Sequence, residues 1–217
     1  MVLLKRIFLL LLSAGGCISV FGVYQLSEYK TEQYMLPYAV TGTTLLLESF
    51  EGSAVEPVKA VFYNNSDTFL ESFYVEIRTI KERYIFETTM LPPNERVLLF
   101  EKDQKLWDTT EIIDITGYCK AFDKLQDHVL AGSVTVRDRY LYIKNTDDEV
   151  INSIELYLKL WDEEHKCFTN KAEKIIIKNF QPGDQLQINL KEAGFKVVFV
   201  CINKPQHNDP VLRLFDL

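Results

Sequence analysis

Apolar and polar residues alternate with a period of two through most of the chain beyond residue 38, and the alternation stops only at clusters of Asn, Asp, Gly and Pro. That is the pattern of half-buried β-strands joined by turns. It predicts strands over Ala39–Glu48, Val55–Asn64, Phe69–Thr79, Arg83–Thr89, Glu95–Glu101 and Ile112–Phe122. A second series follows at Val129–Arg137, Arg139–Asn145, Val150–Trp161, Lys166–Lys178, Asp184–Leu190 and Phe195–Asn203. Val211–Phe215 would add an edge strand, and Gln104–Thr110 reads as one helical turn.

The two series look like one pattern used twice. A strand ending at Asn64 leads through Asn65, Ser66 and Asp67 into Phe69–Ile77, and Tyr140–Asn145 leads through Thr146, Asp147 and Asp148 into Val150–Leu158. Phe73, Val75 and Ile77 match Ile154, Leu156 and Leu158, each triplet facing one way. The turns at Pro93 and Pro182 correspond, as do Cys119 and Cys201 near the ends of the copies. The spacing between equivalent positions widens from Ser72/Ser153 to Pro93/Pro182 and narrows again at Cys119/Cys201. The second copy therefore carries an insertion between its middle strands, and the first carries one before its last strand. Strand-turn-strand patterns are also common by chance, so duplication is an expectation for the structure to test.

Ahead of the strands lies a different pattern. Ile7–Leu26 is an uncharged, mostly apolar run, with Lys5 and Arg6 before it and Glu28, Lys30 and Glu32 after it. About 20 helical residues cover the ~30 Å hydrocarbon core of a bilayer. The flanking charge puts the N-terminus in the cytoplasm and the rest outside. Residues 1–6 are then a cytoplasmic N-terminus, 7–26 the membrane anchor in contact with lipid, 27–37 a juxtamembrane linker, and 38–124 and 125–217 two β domains. A cleaved signal ending at the small residues Ser13–Gly16 competes with this reading, although the apolar run resumes after them, which favours the anchor. So does lipidation at Cys17, since Ala14–Cys17 approximates a lipobox.

Short strands at regular spacing favour β-sandwiches. The second copy, from Leu141 through Leu160, Trp161 and Asp162 to the Pro182–Asp184 turn, resembles the FxLYD-type and related immunoglobulin-like domains of bacterial envelope proteins. The resemblance covers about residues 129–203 and, more faintly, 40–122. It implies an extracytoplasmic, non-catalytic module and carries over no functional residues. The expected fold is thus mostly β: an N-terminal transmembrane helix followed by two tandem immunoglobulin-like β-sandwich domains.

Composition narrows the function further. The formal net charge of −7 argues against nucleic acid as a partner. Four Cys are too few for a disulfide scaffold. Ser27 and Lys30 have S-x-x-K spacing without its companion motifs, and no other catalytic signature occurs. Asp162, Glu163, Glu164, His165 and Cys167 form the densest group of metal-ligand types, and the Asn/Asp turns offer oxygens for Ca²⁺. A charged hairpin tip and ordinary turn chemistry explain both, so no metal or cofactor is expected. Cys167 and Cys201 fall within one copy, as a bridge requires. Buried free thiols are the default account, and a bridge requires their two strands to face each other. Tyr74, Tyr157 and Trp161 alternate out of phase with the apolar set, making an outward aromatic face. Such a face binds partners or sugar rings, and equally packs beneath a neighbouring domain. The expectation is a non-enzymatic, membrane-anchored envelope protein with a protein partner. The alternatives are a carbohydrate- or wall-binding module and, further off, a metal-assisted hydrolase.

Overall fold

The computed structural model describes residues 37–107, 111–124 and 127–203. The apolar run at 7–26, Cys17, the Ser27/Lys30 pair and the strand expected at Val211–Phe215 lie outside the described residues. Among those described, no helix is long and apolar enough to cross a membrane.

The chain is mostly β. The first half runs β1 (Tyr38–Ala39), β2 (Leu45–Glu51), β3 (Lys59–Asn64), β4 (Leu70–Thr79), β5 (Arg83–Leu91), β6 (Arg96–Phe100) and β7 (Ile112–Ala121). A one-turn helix, α1 (His128–Ala131), opens the second half. There follow β8 (Val134–Arg137), β9 (Tyr140–Lys144), β10 (Ile151–Asp162), β11 (Cys167–Phe180), β12 (Gln185–Asn189) and β13 (Phe195–Asn203). In the first half β2-β3-β6 packs on β5-β4-β7, and in the second β12-β9-β8 packs on β11-β10-β13. Strand for strand the two halves have the same connectivity, as duplication requires.

The alternation anticipated these strands because each has one face in a core. Phe73, Val75 and Ile77 are buried in the first core, and Ile154, Leu156 and Leu158 in the second. Phe50 anchors an aromatic group in the first, with ring centroids 5.6 Å from Tyr84 and 4.7 Å from Trp107. Burying one such ring contributes about 1.5–3 kcal/mol.

Hydrogen bonding argues for duplication in finer detail. The Asn64 amide Nδ2 donates to the carbonyls of Thr68 (2.8 Å) and Pro92 (2.9 Å), tying one turn to the end of β5. The Asn145 amide donates in the same way to Glu149 (3.2 Å) and Phe180 (3.0 Å). Both Asn are buried. Met90 and Asn179 are paired left-handed residues at φ 60° and 52°, and Asn94 and Gly183 form a second such pair at 55° and 77°. The Asn/Asp turns are therefore built by hydrogen bonds to their own backbone.

Three local expectations are corrected. The first expected strand is broken: β1 ends at Ala39, and Gly42, with φ 81°, turns the chain toward β7 before β2 begins. A Cβ at Gly42 would lie 3.0 Å from the Gly117 carbonyl oxygen, so the turn requires glycine. The expected strand at Val129–Arg137 begins as α1, because Asp127 caps it by accepting a 2.6 Å bond from the Leu130 amide. Gln104–Trp107 is not helical: Gln104 is left-handed (φ 59°) and Leu106 bridges to Pro57. Residues 108–110 of that expected turn lie outside the described residues.

Candidate functional site at the junction of the halves

The insertion in the second copy is a lengthened hairpin. β4 and β5 turn over Ile80–Glu82, whereas β10 and β11 continue to Asp162 and Cys167 before turning. The added length reaches the first half. Phe168 pairs in parallel with Val97, so that β11 joins β6 and one seven-stranded sheet runs β1-β2-β3-β6-β11-β10-β13 across both halves. The Phe168 side chain is buried in the core of the first half, with Trp161 packed on it at 5.0 Å. Nearby, Phe69 and Phe122 of the first half meet Phe199 at 4.9 and 4.6 Å, and Phe122 meets Tyr157 at 5.2 Å.

Lys159 lies within this contact. It is fully buried, and its Nζ donates to Thr88 Oγ1 (2.9 Å) and to the Thr89 carbonyl (2.6 Å) of the first half. Burial disfavours the ammonium and brings its pKa down to about 7. No signal singled it out beforehand: it is one Lys in an apolar strand, and its burial follows from docking alone.

A second polar centre pins the linker between the halves. Glu155 accepts hydrogen bonds from Lys124, from Tyr157 Oη (2.5 Å) and from Lys174 (3.0 Å), all on Oε2. Burial works against this carboxylate, but the hydrogen bonds from Lys124, Tyr157 and Lys174 outweigh it and hold its pKa at about 2. The first half has the same pair in reverse order, with Tyr74 Oη donating to Glu76 at 3.3 Å.

The expected aromatic face is therefore divided. Tyr157 is buried and Trp161 is packed at the junction beneath Lys196, whose Nζ lies 3.4 Å from the ring centroid. Their outward alternation is real, but the first half covers that face. Trp161 keeps partial exposure there, and Tyr74 stays partly open on the first half. It lines a groove of about 390 Å³ with Ser72, Glu87, Thr88, Thr89, Tyr118 and, from the docked hairpin, Asn170. Hydroxyls, an amide and a carboxylate make this a hydrogen-bonding and stacking surface. Tyr118 and Asn170 escaped sequence reasoning because nothing local marks them.

The alternative of a Cys167–Cys201 bridge is also corrected: both thiols are free, as the default account has it. β11 and β13 flank β10 on opposite sides, with Cys167 opposite Asp162 and Cys201 opposite Glu155. Two strand spacings, roughly 10 Å in all, already exceed the reach of a disulfide. Burial raises the pKa of both thiols, and that of Cys119, so they stay protonated. At the hairpin tip Asp162 accepts from the amides of Glu164 (2.8 Å) and His165 (3.1 Å), which is turn chemistry. Among the described residues no group of three His, Cys, Asp or Glu is placed to hold a metal ion. The chain matches no protein-family model and no curated protein.

Proposed function

We propose that this is a bitopic, non-enzymatic protein of a bacterial cell envelope, held in the cytoplasmic membrane by residues 7–26. Its two tandem immunoglobulin-like domains, 38–124 and 125–217, face outward and engage a protein partner. The observation that carries this reading is the docked hairpin. Phe168 of the second half completes the core of the first, so the two sandwiches move as one stiff body. A stiff body at the end of a short linker holds its outer faces and sheet edges at a set distance from the bilayer. The groove around Tyr74 and Tyr118 is the surface offered, and strand addition at an open edge is a second mode. The test is photo-crosslinking in native membranes from position 118, with position 192 as control. A single protein adduct from 118 alone supports the reading, and equal background from both sites removes it.

One observation favours a second reading, glycan binding. Tyr140 and Tyr142 stand exposed on β9 with ring centroids 6.4 Å apart, opposite Asn189 and Gln187. Paired rings beside amides suit a sugar chain. A glycan array on the purified protein, with Tyr142→Ala as control, decides it.

A further inference from the structure

We propose that the end of the first half remote from the second half rests on the lipid surface of the membrane. The inference builds on the reading of residues 7–26 as an anchor. Three segments form this end: 52–58, the turn 80–82, and 101–107. Val58 donates to the Lys105 carbonyl (2.8 Å), Trp107 to Ser53 (3.1 Å), and Lys105 Nζ to the Arg83 carbonyl (2.7 Å). The buried Glu101 carboxylate accepts from the amides of Asp103 (2.7 Å) and Lys105 (2.9 Å), so the last of the three is held in shape. Ile112 pairs with Thr79, which brings the start of β7 to the same end.

This fixed surface presents apolar side chains to solvent. Ile80 is 68% exposed, Ile113 65%, Val55 55% and Leu106 47%, with Phe100 and Tyr38 beside them. Large exposed apolar patches mark interaction surfaces. Some of the neighbouring charges are paired: Glu51 with Lys59, Glu82 with Lys105, and Arg78 with Asp114. The corresponding end of the second half differs. There Asn189 stands where Phe100 does, the β8–β9 turn is Asp138–Arg139, and the β12–β13 turn exposes Lys191, half-exposes Glu192 and buries Leu190.

The route of the chain names the occupant. Tyr38 pairs with Leu47, and β2 runs on from there to Glu51 at this same end. Running antiparallel to β2, β1 therefore has its N-terminal end directed toward the apolar end. About 11 residues separate the apolar run from Tyr38, a reach of at most ~40 Å, which keeps this end close to the bilayer at high effective concentration. The second half docks at the opposite end, through Phe69 and Phe122, and leaves this one uncovered among the described residues. Apolar tips with a tyrosine beside them suit the headgroup boundary of a bilayer.

The test uses the full chain in vesicles of phosphatidylcholine and phosphatidylglycerol, with p-benzoylphenylalanine at position 80 or 113, and at 67 on the far end as control. The expected result is lipid adducts at 80 and 113 about fivefold above position 67, the contrast between apolar tips seated in a headgroup layer and a site in water. Equal yields at all three sites, in chain that resists carbonate extraction, overturn this inference and leave the anchor reading standing. Chain released by carbonate overturns the anchor reading, and this inference with it. The pair Ile80→Asp and Ile113→Asp touches no core, so it should keep the circular dichroism spectrum and lower lipid adducts from position 55. Unchanged adducts there would also overturn the inference.

Discussion

In the first half the connection between β6 and β7 is long, whereas in the second half the added length lies in the strands of the β10–β11 hairpin, whose turn is nearly as tight as that between β4 and β5. Strand order, buried turn amides and left-handed turn positions are otherwise shared. A repeated scaffold has thus diverged mainly in two places, one hairpin and one connection. One joins the halves to each other, and the other shapes the free end of the first half. The swapped Tyr–Glu pair makes the same point on a smaller scale. In the first half Tyr74 stays near solvent, and in the second Tyr157 and Glu155 clasp the linker through Lys124.

The contrast breaks most directly at Phe168. Phe168→Ala should cost about 4 kcal/mol, and the loss should fall on the first half, whose core the ring occupies. Hydrogen exchange in β3 and β6 reads this, and a loss confined to the second half would refute the docking account.

Lys159→Met comes next. The unfolded chain holds the Lys proton up to about pH 10, whereas in the fold the pKa is about 7. Unfolding therefore takes up a proton between these values, and stability rises with pH across the window. Met should flatten that rise and gain about 2 kcal/mol at pH 6, net of stranding Thr88 and Thr89. Denaturant melts of both proteins at pH 6 and 9 check it, and parallel pH slopes would count against a neutral buried amine.

Asn64→Ala and Asn145→Ala sharpen the likeness instead. Each strands two backbone carbonyls and should cost about 2 kcal/mol, nearly equally in the two halves. Markedly unequal losses in chemical denaturation would mean that the turns are not equivalent.

A smaller effect is expected at Glu155→Gln, about 1 kcal/mol at neutral pH. Since the folded pKa is about 2, the Glu155 contribution is complete above about pH 4.5 and fades as pH falls toward 2. The Gln variant should match the parent at pH 2 in thermal melts. Glu76→Gln, whose partner Tyr74 is not tied to a linker, should change stability by under about 0.5 kcal/mol.

Strand positions were legible in the sequence because each strand buries one face, and that imprints a period of two. Duplication was legible because turn Asn and core triplets recur at matched sites. The docked face of β10 was not. Alternation places Tyr157, Lys159 and Trp161 on the outer side, but it is silent on what covers that side. Lys159 in particular reads as solvated, and only tertiary packing makes it otherwise. The break at Gly42 and the α1 turn were missed because each depends on one local contact inside an apolar run.

Phe168 has a bearing on biogenesis. A polypeptide made from its N-terminus releases β1–β7 well before it releases the aromatic ring that closes their core. At roughly 5–20 residues per second, the stretch from Phe122 to Phe168 takes on the order of 2–10 s to appear. For that interval the nascent first sandwich has an open flank beside β6, a time-limited target for a chaperone or for mispairing with another copy.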